Sequence, residues 1–206
     1  MFELIPHLAE GLMILSIVGY LLIYLVGIRG GTVKPLLATW AFLGLATFLS
    51  VLTTFGESGV GGLVGNLYNI VDASATVIIL IVVFFSQNTR RQFNRFEKVC
   101  LLAVLLVSAW WLWSGQNIAA HLALQLILVI AYLPTLVHLW WAKVNTESLA
   151  VWSLNCLAAV VGLIKPLQVH DFLPTVYGVR AVVSTLAVMA LIWRLKYKER
   201  QKLRLS

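Results

Sequence analysis

NIAAHLALQLILVIAYLPTLVHLWW, residues 117–141, runs for 25 residues without a lysine, arginine, aspartate or glutamate. About 20 apolar residues wound as a helix cross the ~30 Å hydrocarbon layer of a bilayer, so this stretch reads as a transmembrane helix. Working outward from it, the same reading applies to 8–27, 36–55, 64–85, 98–114, 148–164 and 174–193, giving seven spans. The flanks of 117–141 differ in charge: Lys143 follows it, whereas Gly115 and Gln116 precede it. That asymmetry recurs along the chain. Arg29, Lys34, Arg90, Arg91, Arg95, Lys98, Lys143, Arg194, Lys196, Lys198, Arg200, Lys202 and Arg204 all fall on one side, 13 of the 15 basic residues. Lys165 lies on the other side and Arg180 inside the last span. Basic residues collect at cytoplasmic helix ends, so the N-terminus is expected outside and the C-terminus in the cytoplasm, which requires an odd number of spans. The fold class is that of an all-α integral membrane protein with seven transmembrane helices.

Composition agrees with that class. With 61% hydrophobic and 11% charged residues over 206 positions, the spans leave no room for a separate soluble domain, and 1–206 reads as a single membrane domain. A net charge of +7 in a soluble protein would suggest nucleic acid, but here the basic residues flank helix ends, where anionic lipid headgroups are the expected partner. No nucleic-acid partner is expected. Cys100 and Cys156 sit in apolar surroundings and read as small packing residues, giving neither a disulfide framework nor a metal site. Glu3 and Glu10 replace the basic start of a signal peptide, so the first span is kept as a helix. HExxH, CxxC and a phosphate-cradling glycine loop are all absent, and no cofactor, metal or catalytic residue is assigned. Compact loops point to a bacterial cytoplasmic (inner) membrane. The fourth span around Trp110, Trp111 and Trp113 offers a face for lipid or for a second copy in a homo-oligomer.

An internal repeat organises the spans. A shift of 112 residues sets Tyr20 on Tyr132, Leu21 on Leu133, Leu37 on Leu149, Ala38 on Ala150, Trp40 on Trp152 and Ala46 on Ala158. A shift of 109 sets Tyr68 on Tyr177 and Thr76 on Thr185. The layout is a first three-helix repeat at 8–85, a linker helix at 98–114, a second three-helix repeat at 117–193 and a basic tail at 194–206. One intervening crossing makes the two repeats parallel. The basic run from Gln87 to Lys98 reads as the hinge between halves.

On these residues the chain resembles the PQ-loop and SWEET-like transporter superfamily. The best local match is Tyr132-Leu133-Pro134-Thr135, followed by a basic turn at Lys143 and by Thr146-Glu147-Ser148-Leu149 leading to Trp152. Thr135 stands where the family has glutamine, and Leu22 replaces the proline in the first repeat, which keeps Lys34-Pro35 and Trp40. The resemblance covers the whole chain by topology and about 20 residues by motif. It implies a hinge at Pro134, where a proline frees the carbonyl near Ile130 and kinks the fifth helix. It also implies a substrate cavity bordered by aromatic and amide side chains, which marks Trp40, Trp152, Asn69 and Asn155.

Polar residues within the spans give an independent set of candidates, because hydrocarbon tolerates them only toward the protein interior. Gly65, Asn69, Asp72 and Thr76 form one stripe on the third span, and Tyr177, Arg180 and Ser184 one on the seventh, related by a shift of 108. Asp72 and Arg180 lie at similar depth and read as ion-pair partners, either structural or at an external gate or substrate site. His121, Gln125, Tyr132 and Thr135 share a face of the fifth span, with His121 read as a helix contact and Gln125 as a substrate contact. Thr47, Ser50, Ala159 and Gly162 read as packing positions.

Three functions of different class remain open. The first is a carrier of a small polar metabolite, such as a sugar, nucleoside, vitamin precursor or amino acid, by alternating access. The second is a non-transporting sensor or assembly subunit on the same fold. The third is a rhomboid-like serine protease, because Gly56-Glu57-Ser58-Gly59 matches GxSG. A turn in a glycine-rich outer loop explains that motif better, since Ala120-His121-Leu122 lacks the partner motif.

Overall fold

The computed structural model describes residues 4–31, 37–86, 95–142 and 147–205. Every regular element among them is helical: α1 (Leu4–Arg29), α2 (Leu37–Gly65), α3 (Leu67–Phe85), α4 (Arg95–Ser114), α5 (Asn117–Trp141), α6 (Leu149–Gly162), α7 (Ile164–Gln168) and α8 (Phe172–Leu205). Seven helices are long and apolar enough to cross a membrane, with α6 and α7 together making one span. Helices suit that role because each satisfies its own backbone hydrogen bonds where no water can. Lys34, Pro35, Arg90, Arg91, Lys143 and Thr146 fall outside the described residues, as does most of the run from Gln87 to Lys98.

Two boundaries differ most from the sequence reading. The second span extends past residue 55, because the glycine-rich stretch expected as a loop continues α2 as far as Gly65. The break is confined to Gly59, whose φ of 60° and ψ of −152° lie where only glycine rests without strain. At the other end of the chain, the expected tail is a continuation of α8. Its Lys, Arg, Glu, Gln and Leu residues are strong helix formers, and Leu195 remains buried one turn beyond the apolar segment.

Packing follows a regular scheme. α3 lies against both α1 and α2, and α8 lies against both α5 and α6. The two groups meet through α1 on α6 and α2 on α5, with α3 touching α8 between them. Exchanging α1 with α5, α2 with α6 and α3 with α8 leaves this set of neighbours unchanged. α4 stands outside it, against α2 and α5. The main core runs through Met13, Ile17, Phe42, Leu49, Ile79 and Leu124, while a smaller one gathers Leu139, Val188, Ile192 and Leu195. Large apolar side chains elsewhere point outward, among them Leu106, Leu112 and Trp113 on α4, as expected of a surface solvated by lipid.

Candidate functional site

A polar network occupies the end of the bundle at which α1, α3, α5 and α8 begin. Its hub is Ser50 on α2, fully buried. The Ser50 hydroxyl oxygen accepts from Gln125 Nε2 of α5 at 2.9 Å and from Asn69 Nδ2 of α3 at 3.2 Å. His121 sits one turn from Gln125, with Nδ1 3.1 Å from the Thr53 hydroxyl and Nε2 3.3 Å from Gln125 Nε2. Thr53 and Thr54 both donate to the Ser50 carbonyl at 3.0 Å, tying their hydroxyls to the helix that carries them. Gln125 Oε1 in turn accepts from Arg180 Nε of α8 at 3.1 Å. Four helices are thereby joined side chain to side chain.

Asp72 forms the second centre. One carboxylate oxygen accepts from the Tyr20 hydroxyl at 3.0 Å and the other from the Tyr177 hydroxyl at 2.5 Å. The guanidinium of Arg180 lies over the Tyr177 ring, 4.6 Å from its centroid. Tyr177 therefore stands between the two charges, and no nitrogen of Arg180 comes within 4.0 Å of an Asp72 oxygen. The direct ion pair expected from the sequence is replaced by an aspartate capped by two tyrosines and an arginine stacked on one of them. The physical reason is reach: the phenol supplies both a hydroxyl for the anion and a π face for the cation.

Tyr68 packs edge-on against Tyr177, with ring centroids 5.5 Å apart, and Tyr132 lies beside Arg180. In this centre Tyr68 Oη, Asn69 Oδ1 and Arg180 Nη2 are buried without a hydrogen-bond partner among the described residues, as is Asn66 Nδ2 at the start of α3. Above it, Lys165 of α7 binds Glu10 of α1 at 2.6 Å. A cavity of about 10 Å³, room for a single water, lies under that pair against Tyr68 and Gly162.

The expected site residues divide into three groups. Asn69, Asp72, Gln125, Tyr177 and Arg180 come together in the network just described. Trp40 and Trp152 lie toward the opposite end, each half-buried against a tyrosine. Trp40 donates to the Tyr24 hydroxyl at 3.2 Å, and Trp152 packs on Tyr132 and donates to Glu147 at 3.1 Å. Asn155 is half-buried on α6 and makes no hydrogen bond among the described residues. α5 runs unbroken across Pro134.

Sequence reasoning gave Ser50 to packing and His121 to a simple helix contact, and it passed over Tyr20 and Tyr68 as site residues. The missed signal is local density: Thr47, Ser50, Thr53 and Thr54 put four hydroxyls into two turns of a membrane helix. The basic Lys165, isolated on its side, found its partner in Glu10, which the sequence reading used only to argue against a signal peptide. Comparisons of the chain with protein-family models, with curated proteins and with solved structures find no match.

Proposed function

We propose that the chain is a membrane transporter of a small polar metabolite, working by alternating access between the three-helix units at 8–85 and 117–193 with 98–114 as the linker. The observation that carries this reading is the polar network, which lies between the two units and holds Asp72 and Arg180 within what would be hydrocarbon. Polar groups at that depth are costly unless they serve a solute or a pathway. The neighbour exchange described above supports a two-unit design. So does the meeting of Tyr68 with its repeat mate Tyr177, since residues related by a two-fold axis touch each other where the axis passes. Tyr20 capping Asp72 and Tyr132 beside Arg180 repeat one arrangement in the two units.

In this reading Trp40 with Tyr24 and Trp152 with Tyr132 close the end opposite the network, and Pro134 is the hinge. The network end faces outside, the C-terminal part of α8 the cytoplasm of a bacterium, and no residue is assigned a catalytic role. Ser58 is exposed near the end of α2, and His121 faces Ser50 and Thr53, so the protease reading gains nothing. A specific observation favours the non-transporting alternative: Ser50, Asn69, His121 and Tyr177 are fully buried, as in a static core. Flux decides between them. Purified protein in lipid vesicles should drive saturable counterflow of a labelled solute, lost in Arg180→Gln. Vesicles that hold folded protein but remain tight to sugars, nucleosides, amino acids and organic acids would sink the transport reading. Reporter fusions at the C-terminus active only in the cytoplasm would match the orientation.

A further inference from the structure

We infer that Arg180 and Tyr68 form an anion-binding corner and that the solute taken there is a small monocarboxylate, not a zwitterion. The inference rests on the transport reading for the word solute, and on the network alone for the anion. The two charges of the centre are not equivalent. Asp72 is already engaged, each oxygen accepting from a tyrosine hydroxyl. An incoming ammonium group would have to share those oxygens with the two hydroxyls or turn to the neutral amide oxygen of Asn69. Arg180 is not saturated: Nε is used by Gln125, whereas Nη2 is buried without a partner.

The Tyr68 hydroxyl, on a side chain 4% exposed and packed edge-on against the Tyr177 ring that also carries Arg180, is likewise unpartnered among the described residues. Buried donors left unpaired each cost on the order of 1–3 kcal/mol, so two of them on residues packed against the same Tyr177 ring favour an acceptor that completes both. A carboxylate fits best, because it offers planar, charged oxygens to a guanidinium edge and a second oxygen to a phenol. A neutral sugar would complete the hydroxyl but leave the arginine charge uncompensated.

The test uses the full chain in detergent for thermal stabilisation and in vesicles for counterflow. The probes share one carbon frame: sodium L-lactate, its neutral amide lactamide, and the zwitterion L-alanine, with glucose as an unrelated solute. Lactate is expected to stabilise the protein and to exchange, with lactamide, alanine and glucose inactive. Tyr68→Phe, which removes a hydroxyl that bonds to nothing, should fold normally and weaken lactate about tenfold. Arg180→Lys keeps the charge and should abolish the response. Ser74→Ala, at an exposed position of α3 bonded to its own helix, should leave the lactate response unchanged.

Stabilisation and flux with alanine or glucose in place of lactate would overturn the anion assignment while keeping the transporter. So would a lactate response that survives both Tyr68→Phe and Arg180→Lys. Lactate stabilisation with the expected variant pattern but no flux would keep the anion corner and remove the transport reading. Silence from every probe in both assays would overturn the anion assignment, and the transport reading would fall only with the wider solute panel.

Discussion

Ser50 shows how one hydroxyl organises a membrane core. It takes amide donors from two other helices, and both amides are buried. Ser50→Ala should lower stability by ~1–2 kcal/mol, between the cost of unsatisfied donors and the smaller average found for membrane hydrogen bonds. Ser74, exposed and bonded only to the Ile70 carbonyl of its own helix, is the control, and Ser74→Ala should leave thermal unfolding unchanged. Equal melting of the two variants would show that the hub is not held together as described. Asp171, in the turn before α8, gives a pH dependence. Burial raises its carboxyl above the ordinary range, against a lowering by the Leu173 backbone N–H. A folded-state pKa raised above the unfolded one makes the charged form unfavourable in the fold. Its cost is therefore present at neutral pH and fades as pH falls through the carboxylate range. Asp171→Asn should stabilise the protein more at pH 7 than at pH 4 in detergent melts, and the reverse order would contradict this. The sequence made the charged and amide members of the network readable, since Asp, Arg, Asn and Gln are rare in spans. It hid Ser50, because a small hydroxyl in a membrane helix can equally bond its own carbonyl, as Thr47 does.

At the scale of helices, close approach is set by glycine. A Cβ added at Gly162, at the end of α6, would stand 2.7 Å from Cβ and Cγ of Tyr68 on α3. Both atoms are near the backbone and cannot swing aside, so Gly162→Ala should force α6 from α3 and cost about 1–3 kcal/mol. Gly11 on α1 faces open space, and Gly11→Ala should be neutral or stabilising by up to ~1 kcal/mol through helix propensity. Melting temperatures of the two variants in one detergent check the contrast, and a harmless Gly162→Ala would mean the helices are less tightly apposed. Element identity was legible because a hydrophobic run of fixed length has one solution in a bilayer, and 117–141 matched α5 at both ends. Ends were legible only where the bilayer edge coincides with a helix end. α2 and α8 run on beyond their apolar stretches, and nothing in hydropathy marks where a helix continues into water.

For the whole molecule, the contact between α1 and α6 joins residues more than 100 positions apart, which no local pattern encodes. The Glu10 to Lys165 pair lies next to that contact, linking α1 to α7, the short helix that follows α6. If the units separate at this end, the pair must break first, which makes it a latch whose strength is measurable without a solute. Cys156 supplies a native reporter. It lies on α6 six residues before Gly162, about 9 Å deeper by helical rise, is 8% exposed, and borders Tyr68. Cys100 on α4 is also buried, at 4% exposure, but far from the latch in the packing scheme. In vesicles, a membrane-impermeant thiol reagent should label Cys156 several-fold faster in Lys165→Gln than in the parent, with Cys100 unchanged. The charge-exchanged double variant, Glu10→Lys with Lys165→Glu, should restore slow labelling, because it rebuilds the attraction with signs reversed. Fast labelling in the double variant would assign the effect to altered packing, and unchanged labelling in Lys165→Gln would show that this end stays shut without the pair. Added salt should act in the same direction as Lys165→Gln but more weakly, since the pair is only partly screened at 21% and 29% side-chain exposure.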